Sequence, residues 1–367
     1  MSGRCLPRPL VGVLPLTPLP AGRGPGVWFL LRASANTSIY QGDIRPMSES
    51  NEQSEPILDE LIAGPGSPPF TPPVPRPVPT TNVTAAEQRG FVRTIHYNLS
   101  YIVRNAERGG AGAIVLLHDL PGGAFIWTGV LPALDASGRA VYAFDMLGYG
   151  DSDHPWPSDT SVWGHADNLT YAFQALGLSD IVLIGIGVGA ATAQVLATRT
   201  YYGKVAKLAL INTYAYEYAF APSWPLPDME KRHDPEAPKH TPLDAMLADL
   251  RTALPQGAAN SASIAGSKLD AYLSPWNGEL GKEMLFQHIR LMLPLYLNSV
   301  GSDLKKLTIP VQILWGEQDN ITPLELGRRL AREIPGATLS TIPGAGHLAL
   351  DDAPDAVAKL LTDFARR

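Results

Sequence analysis

An acidic residue and an imidazole stand near the C-terminal end of the 367-residue chain, each shortly after a short apolar run. Asp319 follows the run Val311 to Trp315, and His347 follows the run Thr338 to Ile342. Imidazole exchanges a proton near neutral pH, and a carboxylate on its second ring nitrogen fixes the tautomer and stabilises the charged form. We therefore predict that Asp319 and His347 form an acid-base pair. The alternatives are a hydrogen-bonded surface histidine and a loop or capping aspartate.

Two glycine-containing loops offer the other groups that catalysis would use. The segment His118 to Gly123 follows the apolar run Ala113 to Leu117, and its backbone N–H groups could face a developing oxyanion. The segment Gly185 to Gly189 follows the run Ile181 to Ile184 and leads into small residues that let a strand and a helix approach closely. Both loops therefore belong to the candidate site.

Short apolar runs, separated mostly by helical stretches, are the elements that must position these groups. Two half-buried strands are predicted within Phe91 to Arg104, where apolar and polar residues alternate. The later runs, which have the composition of strands buried on both faces, are Ala113 to Leu117, Ala140 to Phe144, Ile181 to Ile184, Leu208 to Ile211, Val311 to Trp315 and Thr338 to Ile342. Their alternation with helices predicts an α/β fold with a doubly wound, mostly parallel sheet. Ligands bind such sheets at the carboxyl ends of the strands, where the candidate residues lie.

Three regions follow from this pattern. Residues 86–213 and 307–367 form the predicted α/β core. Residues 214–306 interrupt the alternation with proline-rich loops and amphipathic segments such as Leu280 to Leu297, which predicts an inserted helical lid over a pocket. Inside the core, Thr322 to Glu325 predicts a helix start with a capping threonine, a proline at the first position and a reciprocal glutamate.

The N-terminal region, residues 1–85, is predicted to be a disordered, proline-rich extension and linker. Residues 64–80 contain eight prolines, which favour an extended polyproline-like conformation. A ligand for an SH3-like partner is the alternative to a plain linker. Residues 1–46 loosely imitate a targeting segment, but prolines break its apolar part and its arginines are spread out.

The composition limits the possible partners. A net charge of -6 provides no basic surface of the kind that binds nucleic acid. The sequence has no uninterrupted run of 18 apolar residues, so we predict no membrane-spanning helix. The single cysteine, Cys5, rules out an intrachain disulfide and a thiolate metal cluster. We expect a cytoplasmic protein that uses no cofactor and no metal. The sequence leaves the oligomeric state open.

The phrases HDLPGGAFIW, FDMLGYGDSD, WGEQD and PGAGH, together with the order of elbow, aspartate and histidine, resemble the α/β-hydrolase superfamily. The resemblance covers residues 91–367 and is nearest to the branch of epoxide hydrolases, haloalkane dehalogenases and carbon-carbon bond hydrolases. It implies that Asp319 is the triad acid and His347 the triad base. It also implies that the N–H groups of Leu120 and Val188 form the oxyanion hole.

The nucleophile elbow departs from this resemblance. Members of the superfamily carry serine, aspartate or cysteine between the two elbow glycines, but this chain reads Gly185-Ile186-Gly187-Val188-Gly189. Glycine has no nucleophilic atom, so no covalent intermediate can form at Gly187. Ile186 and Asp119 also depart from the usual pattern. The elbow and the adjacent residues His118 and Asp119 locally resemble the N-myc downstream-regulated family, which has the hydrolase fold without its activity.

We expect neither Ser152 nor Asn212 to replace the missing nucleophile. Ser152 is expected to hydrogen-bond within a turn, and Asn212 to anchor a loop, because an amide does not ionise. The aromatic residues after Asn212 could line a pocket mouth or pack within the lid; they are Tyr214, Tyr216, Tyr218, Phe220 and Trp224. His233 and His240 lack the spacing of metal ligands and are expected to be solvated.

Two functions remain. The first is a weakened or altered hydrolase-like enzyme, in which His347 oriented by Asp319 acts as a general base on a small, largely apolar substrate. The second is a pseudoenzyme that binds a small molecule or a protein in a lidded pocket. A serine placed at position 187 would test whether the site lacks only one oxygen.

Overall fold

An eight-stranded sheet forms the centre of the computed structural model, which describes residues 87–199, 204–218, 224–225 and 234–366. Its strands are β1 Gln88–Arg93, β2 Asn98–Arg104, β3 Ala113–Leu117, β4 Ala140–Phe144, β5 Ile181–Ile186, β6 Val205–Ile211, β7 Val311–Gly316 and β8 Thr338–Ile342. The predicted extension and linker, residues 1–85, lie outside the described residues. All strands predicted from the sequence are present, and β5, β6 and β7 are longer than their apolar runs.

The strand order is β1-β2-β4-β3-β5-β6-β7-β8. Strands β3 to β8 run parallel to one another, while β1 pairs with β2, and β2 with β4, in antiparallel fashion. Every residue of β3, β4, β5 and β7 is buried, as expected for strands with helices on both faces. The predicted α/β fold with a mostly parallel, doubly wound sheet is confirmed.

Eleven α-helices lie in the described part of the chain. They are α1 Leu131–Leu134, α2 Val162–Ala175, α3 Gly187–Thr198, α4 Ala237–His240, α5 Leu243–Ala253, α6 Ser267–Leu273, α7 Glu279–Leu291, α8 Pro294–Leu304, α9 Leu324–Glu333, α10 Ala349–Asp352 and α11 Pro354–Arg366. Helices α4 to α8 fall between β6 and β7, within the segment predicted to be a lid. We call residues 234–304 the helical insertion; its action as a lid stays a prediction.

Two helix predictions need correction. The segment Leu280 to Leu297 is two helices, α7 and α8, because Pro294 starts a new helix after a break. Helix α9 begins at Leu324 as expected within one residue, but no side chain caps it. The hydroxyl of Thr322 donates a hydrogen bond to Asp319 instead.

Glycine at position 189 allows α3 to pack against the end of β3. A Cβ at Gly189 would lie 2.3 Å from the carbonyl oxygen of Leu117 and 2.4 Å from that of His118. Backbone oxygens at the end of a buried strand cannot move aside as a flexible side chain can. The small residues around the elbow therefore bring the start of α3 against the loop that follows β3.

We expect Gly189→Ala to lower the free energy of unfolding by about 1–3 kcal/mol, the usual cost of overpacking a close contact. Gly129→Ala is the control, because its Cβ would meet only Pro354 at 3.6 Å. Urea denaturation of both variants measures the difference. Equal stability of the two variants would show that the α3–β3 contact tolerates an added methyl group.

Candidate active site

Five loops meet at the carboxyl ends of the neighbouring strands β3, β5, β6, β7 and β8. They carry, in this order, Asp119, Gly187, Asn212, Asp319 and His347. The parallel direction of these strands brings the loops to the same edge of the sheet. Residues up to 228 positions apart in sequence therefore form direct contacts.

The predicted acid-base pair is in contact. Nδ1 of His347 lies 2.9 Å from Oδ2 of Asp319, and both side chains are fully buried. Asp319 also accepts hydrogen bonds from the backbone N–H groups of Ile321 and Thr322, both at 2.8 Å, and from the Thr322 hydroxyl at 2.6 Å. These donors hold the carboxylate in one orientation, so Nδ1 of His347 carries the proton that faces it.

Asp119 occupies the predicted oxyanion hole. Its Oδ1 accepts hydrogen bonds from the backbone N–H groups of Leu120 and Val188, each at 2.8 Å. These are the two donors that the sequence predicted for the hole. Its Oδ2 lies 3.1 Å from Nε2 of His347. The carboxylate therefore contacts the hole and the imidazole at the same time.

The glycine at the elbow leaves room for this carboxylate. Gly187 has φ +51°, and a Cβ on it would lie 2.0 Å from Cγ of Asp119 and 2.1 and 2.2 Å from the two carboxylate oxygens. The carboxyl group of Asp119 thus fills the space that a side chain at position 187 would need. Gly187 and Asp119 are complementary, since no residue with a side chain fits at position 187 beside this aspartate.

His347 lies between two carboxylates. Burial by itself would lower the pKa of the imidazole, but the charge of Asp319 and the hydrogen bonds with Asp119 and Asp319 outweigh burial and raise this pKa to about 10. Burial would likewise raise the pKa of Asp319, yet the charge of His347 and the hydrogen bonds from His347 and Thr322 lower it. At neutral pH the resting site therefore contains an imidazolium, which cannot accept another proton.

Further groups fix this arrangement from the β6 loop. The side-chain amide of Asn212 donates to the carbonyl oxygens of Gly346 and His347 at 2.9 and 2.8 Å, and its oxygen accepts from Gly316 N at 2.8 Å. Asn212 thus joins the end of β7 to the loop after β8, as its amide led us to expect. The hydroxyl of Tyr214 lies 3.3 Å from Nε2 of His347, and both residues are fully buried.

The remaining residues considered from the sequence lie elsewhere or only near the site. Ser152 donates to the carbonyl oxygen of Asp145 at 2.6 Å and accepts from Ser100 N, which is the expected structural role. The rings of Trp224 and His347 form a T-shaped contact, with ring centroids 5.2 Å apart. His240 lies at the end of the short helix α4, whereas Phe220 and His233 lie outside the described residues.

Comparison with known proteins agrees with this geometry. The model of the α/β hydrolase fold family matches residues 112–354, more than half of the chain. The chain belongs to the α/β hydrolase fold family. It is 28% identical over 254 residues to the Arabidopsis thaliana α/β hydrolase domain-containing protein VTE7, covering 69% of this chain and 73% of that protein. It is 25% identical to the AB hydrolase superfamily protein YisY of Bacillus subtilis, covering 68% and 90%.

Solved structures of hydrolase-fold proteins superpose on this chain. An α/β hydrolase fold protein from Burkholderia ambifaria has a TM-score of 0.65 at 25% identity and covers 75% of this chain and 100% of its own. The haloalkane dehalogenase DbeA from Bradyrhizobium elkani has a TM-score of 0.66 at 19% identity, covering 76% and 97%. The latter similarity concerns the fold alone. The local likeness of the elbow to the N-myc downstream-regulated family stays a prediction.

Asp119 is the site residue that the sequence reasoning missed. In the sequence Asp119 is a departure from the hydrolase pattern with no role of its own. The sequence signal that could have indicated its role is the presence of two departures together, an aspartate after His118 and a glycine at position 187. The sequence alone does not show that these two positions compete for the same space.

Within the described ranges, no group of three or more histidine, cysteine, aspartate or glutamate residues is arranged to hold a metal ion. Among the helices that the structure describes, none is long and apolar enough to cross a membrane.

Asp319→Asn should lower the pKa of His347, because the imidazolium loses the charge of one of its two carboxylates. An NMR titration of the histidine Cε1 signals measures this pKa, with Asp249→Asn as the exposed control.

Since the pKa of about 10 for His347 lies above the ordinary value of 6.5, the stabilisation from His347 is complete below pH 6.5 and is lost as the pH rises towards 10. The wild type should lose stability over that interval relative to His347→Gln. A wild-type His347 that titrates near 6.5 would contradict this electrostatic interpretation.

Gly187→Ser by itself should give no esterase and should be less stable than the wild type. Its Cβ would collide with the carboxyl group of Asp119, and φ at this position disfavours side chains. The double variant Asp119→Gly with Gly187→Ser empties the hole and provides a hydroxyl, so esterase activity on p-nitrophenyl esters should appear there. Asp119→Gly alone is the control without a nucleophile. Equal esterase activity in Gly187→Ser and in the double variant would show that Asp119 does not block the hole.

Proposed function

We propose that this protein is a hydrolase-like enzyme in which Asp119, supplied by the loop after β3, is the nucleophile. The observation that supports this most directly is the position of its carboxylate. Oδ1 lies in the oxyanion hole, and Oδ2 faces the imidazole of His347. Asp119 therefore provides at the site the nucleophilic oxygen that Gly187 lacks, from a different strand.

The first step is attack on a saturated carbon that carries a leaving group. A lone pair of Asp119 Oδ2 forms a bond to this carbon, and the leaving group departs with the bonding electron pair. The product is an ester between the substrate and Asp119, with Oδ1 as its carbonyl oxygen. Because the ester is neutral, His347 loses the charge of one of its two carboxylates, and its proton becomes easier to remove. That proton neutralises the leaving group directly or through solvent.

The second step hydrolyses the ester. Neutral His347, still oriented by Asp319, accepts a proton from a water molecule at Nε2, and the resulting hydroxide attacks Cγ of Asp119. The negative charge that develops on Oδ1 is stabilised by the N–H groups of Leu120 and Val188. Collapse of this intermediate breaks the bond between Cγ and Oδ2, and the proton of the new hydroxyl on Cγ passes to the departing oxygen. An alcohol is released and the carboxylate is restored. For a haloalkane the sum is the conversion of R–X and water into R–OH and HX. For an epoxide the leaving oxygen stays attached to the substrate and takes the proton of His347, so the sum is epoxide and water to diol.

This arrangement selects the substrate class. A carbonyl substrate needs the two hole donors for its own oxygen, but Oδ1 of Asp119 already accepts from both. Acyl transfer is therefore disfavoured, whereas attack on a saturated carbon leaves Oδ1 in place. Epoxides and haloalkanes have the required carbon. The aromatic rings of Tyr214 and Trp224, whose centroids lie 5.8 and 5.2 Å from that of His347, favour a largely apolar substrate.

In this mechanism His347 acts as a general base in the hydrolysis of the ester and not in its formation. An imidazolium between two carboxylates cannot activate water directly in the resting enzyme. Ester formation on Asp119 is what makes the imidazole available as a base.

A second candidate function is a non-catalytic binding protein. It is favoured by the burial of the three charged groups, whose side chains are 0–4% exposed and bind one another. In that case Asp119 fills the oxyanion hole as a structural group. The test below separates the two candidates.

Incubation with short epoxides and haloalkanes should leave a covalent adduct on Asp119 in His347→Gln. Glutamine can still donate to the carboxylate but cannot activate water, so the ester accumulates and the intact mass rises by the mass of the bound substrate group. Peptide mass spectrometry locates the adduct. Asp119→Asn in the same background should remain unmodified, and Ser152→Ala, a hydroxyl away from the site, should behave as wild type in turnover.

A single turnover in ¹⁸O-enriched water distinguishes the covalent route from direct attack by water. With enzyme in excess, the covalent route gives an alcohol whose oxygen came from Asp119, so the first product is unlabelled and the enzyme gains ¹⁸O. Labelled first product would exclude Asp119 as the nucleophile. The absence of both turnover and adduct across the panel would favour the binding protein.

A further inference from the structure

The carboxylate of Asp352 joins the loop that carries His347 to the helical insertion. Its Oδ2 accepts from Gly346 N at 2.8 Å and from Ala259 N at 2.7 Å. Its Oδ1 accepts from Asn260 N at 3.2 Å and from the Ser263 hydroxyl at 3.1 Å. One oxygen atom thus bridges the residue before His347 and a residue of the insertion.

Direct backbone contacts reinforce this bridge. A Cβ at Gly346 would lie 2.7 Å from both Ala259 N and Gly257 O, so this loop and the insertion touch closely there. On the other side of His347, Leu348 N donates to Gly257 O at 3.2 Å. We call residues 257–263 the clamp segment. It contacts both chain neighbours of His347.

The residue before Asp352 binds the insertion as well. Asp351 accepts from the Tyr272 hydroxyl at 2.7 Å and pairs with Lys268 at 3.0 Å. Two consecutive carboxylates at the end of α10 therefore hold two parts of the insertion, the clamp segment and α6. Hydrogen bonds to an ionised carboxylate are stronger than those between neutral groups, so these contacts favour one placement of the insertion.

The opposite side of the His347 loop is fixed to the sheet. Asn212 holds the carbonyl oxygens of Gly346 and His347 from the end of β6. Gln318 N also donates to the carbonyl oxygen of Ala345 at 2.9 Å, so movement of the insertion would act on a loop whose opposite side is held by the sheet. The contact of Nε2 with Asp119 would change with it, because the ring is attached next to the bridged residue.

We propose that Asp352 is a positioning residue that transmits the placement of the clamp segment to His347. The insertion and the imidazole then form one mechanical unit, so that movement of the insertion changes the alignment of His347 with Asp119. The importance of this alignment for turnover rests on the proposed function, but the coupling itself is a property of the resting protein. It can therefore be measured without a substrate.

The experiment follows the ring N–H protons of His347 by NMR in full-length protein with ¹⁵N-labelled histidine, the signals being assigned by their loss in His347→Gln. In the wild type these protons lie between two carboxylates and should exchange slowly with water. Asp352→Asn should speed their exchange at least about tenfold, a change of about 1.4 kcal/mol in local opening. Asp355→Asn, an exposed aspartate three residues away, is the matched control and should leave the exchange rate unchanged.

Ser263→Ala tests the coupling from the insertion side, because it removes one donor to Asp352 and leaves the Gly346 contact intact. It should speed exchange in the same direction by a smaller factor. Unchanged exchange in Asp352→Asn would overturn the positioning role. An effect of Asp352→Asn without any effect of Ser263→Ala would overturn the coupling through Oδ1 of Asp352, because Ser263 donates to that oxygen. Thermal unfolding of each variant shows whether the fold is kept. If no substrate is turned over, these outcomes still decide the coupling, so the two proposals fail separately.

Discussion

The carboxylate of Asp119 is the group on which the rest of the site depends. It accepts from two backbone N–H groups through one oxygen and faces His347 through the other. A charged group this deeply buried is tolerated only where donors and an opposite charge compensate for its lost hydration. The amides of Leu120 and Val188, the first turn of α3 and the imidazolium meet that requirement. Gly187 follows as a steric consequence, because the carboxyl group takes its side-chain space.

The arrangement also explains how a site with two aspartates and one histidine keeps a defined charge. Asp319 is held by its own donors, Ile321 N and Thr322, so its charge faces Nδ1 and fixes the ring. Asp119 faces Nε2. The imidazole is therefore protonated in the resting state, and in the proposed mechanism it becomes a base only after Asp119 has formed the ester. This dependence separates the site from one in which a histidine activates a serine.

Family membership and function remain separate matters in this protein. The family model and the superposed structures describe the sheet and its order of loops, which many chemistries share. What differs here is the strand that supplies the nucleophilic oxygen in the proposed mechanism. An aspartate after β3 reaches the position normally served from the elbow, because the ends of β3 and β5 are neighbours in the sheet. The loop after β8 is in turn tied to the helical insertion through Asp352.

The amino-acid sequence determined the sheet, the order of its loops and the candidate pair Asp319 and His347, because apolar periodicity and local motifs depend on neighbours along the chain. The prediction that Thr322 caps a helix was wrong, because its hydroxyl donates to Asp319 in the folded protein. The prediction of one continuous helix was also wrong, because a new helix begins at Pro294. The sequence also showed a missing nucleophile at Gly187. Only the tertiary structure shows that Asp119, 68 positions earlier, fills that space. Side-chain competition for one volume is set by strand neighbours in the sheet, which sequence distance does not encode.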